Sequence, residues 1–189
     1  VSPRVGPRDR AALGAIRSSG MNFSIITGVH VGPKTTVWEL KPHTKAKHEI
    51  LHRYLDAWLP IMSKFNRRLL VLDGFAGPGR YSKGEPGSPT IAMRRLLDHQ
   101  YAPSMASCEF VFVFNEQDPD RFKSLQVAVK EITEAEGFPA HVKVIVENSA
   151  FGSMANAVCD QVEAAGAQLA PMFAFLDPFG YSDLSLATL

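Results

Sequence analysis

The amino-acid sequence predicts an α/β protein built on a doubly wound, mostly parallel β-sheet. Short apolar runs alternate along the chain with segments of helical length and pattern, and this alternation is typical of parallel sheets with helices on both faces. The runs are continuously apolar, as expected for strands that are covered on both sides. Four such strands are visible, so we predict a Rossmann-like sheet with the strand order 3-2-1-4, preceded by an N-terminal helix.

The chain of 189 residues is long enough for one domain with a substantial core. Residues 1–36 are rich in Gly, Pro, Ser and Arg and show weak periodicity, which predicts a poorly ordered N-terminal extension. Residues 37–189 form the predicted Rossmann-like domain. Because the pattern supplies only four strands, we expect this domain to be truncated at its C-terminus or to be completed by something else.

The predicted elements begin at Pro42, where apolar residues start to recur at steps of three and four and indicate a helix. Pro60 is expected to end or kink that helix, because proline lacks the N–H of the helical hydrogen bond. Ser88 and Asp118 are suited to cap the next two helices. Strands are predicted at 69–73, 109–116, 142–148 and 172–180, with helices between them at 88–99, 118–137 and 153–166.

The first strand runs directly into a glycine-rich turn in the segment VLDGFAGPGRY, residues 71–81. A phosphate-binding loop of the GxxxxGK[ST] type is disfavoured, because Arg80 and Tyr81 replace the lysine and the hydroxyl residue, and Asp73 would repel a triphosphate. The dinucleotide fingerprint GxGxxG does not fit either, since the glycines here are spaced GxxGxG. A tight turn without any ligand is the structural alternative.

A cofactor with a cationic amino-acid end fits this turn better. S-adenosylmethionine carries an ammonium and a sulfonium but no phosphate, so the carboxylate of Asp73 would attract it, and glycines allow a close approach of the backbone. Ligands of doubly wound folds bind at the carboxyl ends of the strands. The second strand ends at Glu116, which is suited to ribose hydroxyls, and the third at Asn148, which is suited to the adenine amino group, with Glu147 as the alternative. The fourth strand ends at Asp177.

The segments that carry these residues resemble the three-Cys-motif partner family, a bacterial group within the class I S-adenosylmethionine-dependent methyltransferase superfamily. The resemblance implies a Rossmann-like fold, S-adenosylmethionine as cofactor, and a functional link to a radical-type partner protein with a three-cysteine cluster. The resembling stretches are WELKPHTKAKHEILHRYLDAWLPIM (38–62), VLDGFAGPGRYSKGEPGSPTIAM (71–93), FVFNEQDPDRF (112–122) and FAFLDPFGYS (173–182).

Transferred position by position, the resemblance assigns the cofactor's amino-acid end to the glycine turn, its ribose to the end of the second strand and its adenine to the end of the third. Asp177 becomes the candidate catalytic group, which would orient an acceptor amine or hydroxyl for attack on the methyl group. The predicted cofactor-binding residues are Asp73, Phe75, Ala76, Gly77, Gly79, Glu116 and Asn148, and the predicted catalytic residues are Asp177, Phe179 and Tyr181.

The fourth strand end departs from the pattern of base-modifying amino-methyltransferases. These enzymes use [DN]PP[YF] and stack the aromatic ring on the target base. Here the sequence is DPFG at 177–180, so the aromatic residue comes one position early, and Tyr181 is the candidate for stacking. The methyl acceptor stays open, with nucleic acid among the candidates. A non-catalytic partner protein that keeps the fold and acts by binding is the alternative.

A zinc hydrolase is a minor alternative, because His48, Glu49 and His52 form an HExxH pattern on the first helix. Catalytic zinc needs a third ligand, and Leu55 and Trp58 occupy the positions where one extended version of the motif has glycine and histidine. We therefore predict no metal site.

Composition limits the remaining classes of function. The net charge of +1 does not indicate a nucleic-acid partner by itself. Cys108 and Cys159 cannot form a disulfide framework or a CxxC metal motif, which fits a reducing cytoplasm, and both are expected to be buried. No apolar run approaches the ~20 residues of a membrane span, so we predict a cytoplasmic protein without a membrane partner.

Overall fold

The structure is a computed structural model, and it describes residues 35–135 and 137–178. The predicted N-terminal extension therefore lies outside the described residues, apart from Thr35 and Thr36, which are exposed. The helices and strands in chain order are α1 (Pro42–Ser63), β1 (Arg68–Asp73), α2 (Ser88–Leu97), α3 (Ala102–Met105), β2 (Glu109–Asn115), α4 (Pro119–Thr133), β3 (Val142–Glu147), α5 (Phe151–Ala164) and β4 (Met172–Phe175).

Within the described part of the chain, the sheet consists of four parallel strands in the order β3-β2-β1-β4, which confirms the predicted topology. In the centre of the sheet, Asp73 of β1 lies opposite Phe114 on one side and Phe175 on the other. Asn115 of β2 lies opposite Glu147 of β3. Because all the strands are parallel, these residues meet at the carboxyl edge of the sheet, where doubly wound folds bind their ligands.

Helices pack on both faces of the sheet, as the alternating pattern predicts. The larger core includes buried leucines of α1, buried residues of α2 and α4, and the fully buried phenylalanines of β2, which are Phe110, Phe112 and Phe114. The smaller core lies on the other face, where Phe151 of α5 packs against Leu70 and Leu72. The prediction of full coverage is wrong for β4, in which exposed and half-buried residues alternate, because β4 is the edge strand of the described sheet.

The prediction that Pro60 ends or kinks the first helix is wrong as an end point, because α1 continues to Ser63 with Pro60 inside it. Proline cannot donate a hydrogen bond to the carbonyl four residues earlier, which belongs to Asp56. The imidazole Nε2 of His99 lies 3.0 Å from that carbonyl oxygen, while Nδ1 accepts a hydrogen bond from the Tyr101 N–H. The second contact leaves the proton on Nε2, so His99 supplies the missing donor.

Of the two predicted helix caps, one is confirmed and the other is wrong. Asp118 caps α4 as predicted, and its carboxylate accepts hydrogen bonds from the N–H groups of Asp120 and Arg121. Ser88 does not cap α2, because it is already the first helical residue and the cap position is taken by Gly87. Other boundaries also differ from the prediction: α4 ends at Thr133 instead of 137, and β4 ends at Phe175 instead of reaching Pro178. The short helix α3 was not predicted.

The turn after β1 is held in a conformation that glycine favours. Gly77 and Gly79 have φ angles of 62° and 78°, and glycine adopts such values at little cost. The N–H of Gly87 donates to the carbonyl oxygen of Gly79 at 2.9 Å and closes the loop. A Cβ atom added to Gly79 would lie 2.8 Å from the Cβ of Ala128, so α4 packs directly against the turn.

We expect Gly79→Ala to lower the free energy of unfolding by about 3 kcal/mol, the sum of left-handed strain and steric overlap with α4. Gly84→Ala is the matched control, because Gly84 also has a positive φ of 85° but no described atom lies within 4 Å of its added Cβ. The control should lose only about 1–2 kcal/mol. Urea denaturation measures both values, and equal losses would show that the contact with α4 contributes nothing.

Among the described residues, no helix combines the length and the apolar composition that crossing a membrane requires.

Candidate functional site

A cavity of about 230 Å³ opens at the carboxyl edge of the sheet. The cavity is enclosed by Trp38, the first half of α1, the loop after β1 with the start of α2, and the residues at and after the end of β4. Of the predicted site residues, five line this cavity, and they are Phe75, Ala76, Gly77, Gly79 and Asp177. The parallel topology brings them together, since the end of β4 lies directly beside the end of β1.

Asp73 is buried beneath this cavity at the tip of the central strand. Its Oδ1 accepts a hydrogen bond from the Phe75 N–H at 3.2 Å, whereas its Oδ2 has no hydrogen-bond partner among the described residues. Burial raises the pKa of Asp73 from 3.8 to about 7. The Ser88 hydroxyl and the Phe75 N–H act against this rise, and the carboxylates of Asp177 and Glu116 add to it.

Glu116 lies at the end of β2, where the ribose contact is predicted, but it does not line the cavity. It is buried, and its Oε1 accepts a hydrogen bond from the Asp118 N–H at 2.8 Å. Burial raises the pKa of Glu116, while hydrogen bonds from Asp118 and Gly77 and the charge of Arg121 oppose the rise. The ribose role of Glu116 therefore stays a prediction.

Asn148 also lies outside the lining of the cavity. Its Nδ2 donates to the backbone carbonyls of Glu116 and Gln117 at 2.7 and 3.0 Å. These bonds tie the end of β3 to the end of β2, so the amide nitrogen has a structural function in this state. Its predicted contact with adenine is not tested by this arrangement.

Asn115 is a positioning residue that the sequence reading missed. It is buried at the end of β2, and its Nδ2 donates to the carbonyls of Gly74 and Ser149 at 3.2 and 3.0 Å. Its Oδ1 accepts from the Ser149 hydroxyl at 3.0 Å. One amide thus ties the chain after β1 to the chain after β3 at the edge of the sheet beside the glycine turn.

Asp177 is paired with a residue of α1. The Nζ of Lys47 lies 2.5 Å from Asp177 Oδ1, and both side chains are partly exposed. Phe179 and Tyr181, the other two predicted catalytic residues, lie outside the described residues. The predicted role of Asp177 therefore has to be performed by a carboxylate that already neutralises a lysine.

The first half of α1 forms one wall of the cavity through His43, Thr44, Lys47 and His48. No separate motif identifies this wall, although the segment KPHTKAKHE belongs to the stretches that carry the resemblance. His48 is buried, and its Nε2 lies 3.5 Å from the Tyr81 hydroxyl. Burial lowers the pKa of His48, and Asp177 opposes that shift.

The HExxH residues do not converge on a common point. Glu49 pairs with Arg53 at 2.6 Å, and His52 Nε2 lies 2.7 Å from a guanidinium nitrogen of Arg95. His48 faces Tyr81 instead. Within residues 35–135 and 137–178, no group of three or more His, Cys, Asp or Glu side chains could hold a metal ion.

Trp38 covers the glycine turn from the segment before α1, and it also lines the cavity. Its ring lies 5.1 Å from the guanidinium carbon of buried Arg121 and meets the ring of Tyr81 edge-on. Its carbonyl oxygen accepts from the Ser82 N–H at 3.0 Å. An isolated aromatic before a helix gives no sequence signal for such a role.

The two cysteines differ in exposure. Cys108 is buried as expected, and burial raises the pKa of its thiol to about 11. Cys159 is exposed on α5, so the expectation that both are buried is wrong. The apolar face of α5 buries only Phe151, which leaves the middle of the helix accessible to water.

These features define a Rossmann-like α/β protein with a cavity at the carboxyl edge of its sheet and a buried aspartate, Asp73, at the tip of β1. Comparison of the chain with protein-family models, with curated proteins and with solved structures finds no match.

Proposed function

We propose that this protein is an S-adenosylmethionine-dependent methyltransferase of the three-Cys-motif partner type. The proposal is supported by the fold, by the cavity at the carboxyl edge, and above all by the acidic character of the strand ends around it. The charges of Asp177 and Glu116 both raise the pKa of the buried Asp73, so a positively charged ligand beside Asp73 would be favoured.

One observation carries the proposal: Asp73 Oδ2 is buried without a described partner beside a turn made of glycines. A buried carboxylate oxygen of this kind costs free energy until a donor reaches it. The ammonium of an amino-acid end is such a donor, and it also compensates the charge. An ionised polyphosphate has no donor on its phosphate oxygens to offer to Asp73 Oδ2.

The residues present fit the cofactor in the following way. Asp73 would hold the ammonium, and the turn formed by Phe75, Ala76, Gly77 and Gly79 would enclose the amino-acid end. The cavity of about 230 Å³ is smaller than the ~300–1,000 Å³ typical of pockets that hold a whole ligand. We therefore propose that it holds the amino-acid end and the methyl group, with the nucleoside directed toward Glu116 and Asn148.

When bound, S-adenosylmethionine supplies an electrophilic methyl group. Asp177 would orient the acceptor, and Lys47 would hold the carboxylate of Asp177 in place through their contact of 2.5 Å. The acceptor is an amine or hydroxyl, with nucleic acid among the candidates, and a radical-type protein with a three-cysteine cluster is the proposed partner in the cytoplasm.

Calorimetric titration tests the proposal directly. We expect S-adenosylmethionine and S-adenosylhomocysteine to bind with one-to-one stoichiometry, because both carry the ammonium that Asp73 requires. ATP and NAD serve as controls and should not bind, since their phosphates would face the acidic strand ends. Binding of ATP, or no binding of either amino-acid ligand, would refute the proposed cofactor.

A second measurement separates an enzyme from a protein that only binds. The protein is incubated with S-adenosylmethionine labelled in its methyl group and with pools of bacterial RNA, DNA and protein. We expect label to appear in one pool. Cofactor binding without transfer to any pool would favour the alternative of a non-catalytic partner protein.

A further inference from the structure

The cavity lining contains a group of side chains to which the proposed cofactor contacts assign no role in binding. His48 and Lys47 of α1 lie together with Tyr81 of the loop after β1 and Asp177 after β4. Two of these four, His48 and Tyr81, are ring systems whose centroids are 5.6 Å apart. An imidazole and a phenol can both accept and donate protons.

The surroundings keep His48 neutral. Its imidazole is buried, and burial is the main cause that lowers its pKa. The charge of Lys47 acts in the same direction, and the charge of Asp177 acts against it. The ion pair of Lys47 with Asp177 places these two charges side by side, so they act on the imidazole in opposite directions.

Resting on the proposed function, we propose that His48 is the proton acceptor of the methyl transfer, and that the substrate is a protic amine or hydroxyl. The Nε2 of His48 faces the Tyr81 hydroxyl at 3.5 Å. Contacts of catalytic groups in ligand-free proteins are often this long and shorten when the substrate binds.

The proposed step balances in atoms and charge. A lone pair of the acceptor nitrogen or oxygen forms a bond to the methyl carbon, and the bond between that carbon and the sulfonium sulfur breaks. The sulfur keeps the electron pair and becomes a neutral thioether. The acceptor loses its proton to His48 Nε2, so one positive charge moves from the cofactor to the imidazole.

The other titratable groups at the cavity are less suited to this role. Lys47 and Asp177 neutralise each other, and burial raises the pKa of Tyr81 to about 12, so its hydroxyl stays protonated near neutral pH. His43 is exposed at the start of α1. Asp73 lies outside the cavity lining and is assigned to the ammonium.

The proposed repulsion between the sulfonium and a protonated His48 can be measured without knowing the methyl acceptor. S-adenosylmethionine carries the positive sulfonium and S-adenosylhomocysteine does not, and the two share every other group. Protonated His48 should repel only the first. We expect the ratio of their dissociation constants, S-adenosylmethionine over S-adenosylhomocysteine, to rise about tenfold between pH 7.5 and pH 5.0.

His48→Gln should reduce that rise to less than threefold, whereas His141→Gln, at the opposite end of the sheet, should leave it unchanged. Asp73 also titrates in this range, but it remains in both variants, so the difference between them reports on His48. A ratio with the same pH dependence in wild type and His48→Gln would overturn the inference while leaving the proposed cofactor intact. If neither ligand binds, the proposed function fails and the inference fails with it.

NMR of wild-type protein with labelled histidine provides a measurement that does not depend on the folding of the variant. The pKa of His48 should be lower in the S-adenosylmethionine complex than in the S-adenosylhomocysteine complex. Equal pKa values in the two complexes would place His48 away from the methyl group and would also overturn the inference.

Discussion

Asp73→Asn is expected to weaken the binding of S-adenosylmethionine at least a hundredfold. The substitution keeps the shape of the side chain but removes the charge that we assign to the cofactor's ammonium. Because Asp73 is buried, a charge pair formed there is screened little by water, and removing one partner of a buried pair typically costs about 3–5 kcal/mol. Calorimetric titration at pH 8 measures the loss.

Asp98→Asn is the matched control for this experiment. Asp98 is an exposed residue at the end of α2, and it does not line the cavity. Its Oδ1 lies 3.9 Å from Nη1 of Arg94. Its replacement should leave the dissociation constant unchanged. If Asp73→Asn bound S-adenosylmethionine as tightly as wild type, the strand-tip carboxylate would not be the cofactor's anchor, and the central observation behind the proposed function would lose its meaning.

The ligand-free protein is expected to become less stable as the pH rises from about 4 to 8. The folded-state pKa of Asp73 is raised to about 7 from 3.8, so the folded protein binds a proton more tightly than the unfolded chain does. The contribution of Asp73 therefore lowers the free energy of unfolding progressively as the pH rises from about 3.8 to about 7, and the decrease is complete above pH 7. At about 1.36 kcal/mol per pKa unit, the decrease amounts to ~4 kcal/mol.

Urea denaturation at several pH values measures this decrease, and Asp73→Asn isolates it. Glu116 and Glu147 also have raised pKa values, and Glu109 has a lowered one, so the difference between wild type and variant is the informative quantity. The variant should be more stable than wild type at pH 8 and similar to it near pH 4. A variant that is less stable at pH 8 would show that the charged carboxylate stabilises the fold.

These two predictions have opposite signs for one substitution. Loss of ligand binding together with a gain in stability is typical of a functional group whose burial destabilises the fold but serves binding. A residue with only a structural role would lose stability when replaced.

Much of the fold could be predicted from the chain alone, because the signals are local. The apolar runs identified β1, β2 and β3 to within one or two residues. The cap at Asp118 was also predictable, since its side chain bonds to the next turn of its own chain. The end of α1 was predicted wrongly, because the rule that proline ends a helix takes no account of a distant donor. Here His99 supplies the hydrogen bond that Pro60 cannot make, and the helix continues to Ser63.

The candidate site divides in the same way. Asp73, the glycine turn and Asp177 could be named from the sequence, because each lies at the end of a recognisable strand and parallel strands end at one edge. Trp38 could not be named as part of the cavity, and His48 was named only for its HExxH pattern, because a contact with a turn that is distant along the chain leaves no signal in the neighbouring residues.

By itself, the sequence determined the order of the elements, the parallel sheet and the acidic residues at its carboxyl edge, since periodicity and chain direction are properties of neighbouring residues. Only the tertiary structure decided which of those acids keeps a buried oxygen without a partner among the described residues, which lysine neutralises Asp177, and which histidine lies beside Tyr81. Burial and charge pairing depend on contacts between residues far apart in the chain, and those contacts set the pKa values on which the proposed chemistry depends.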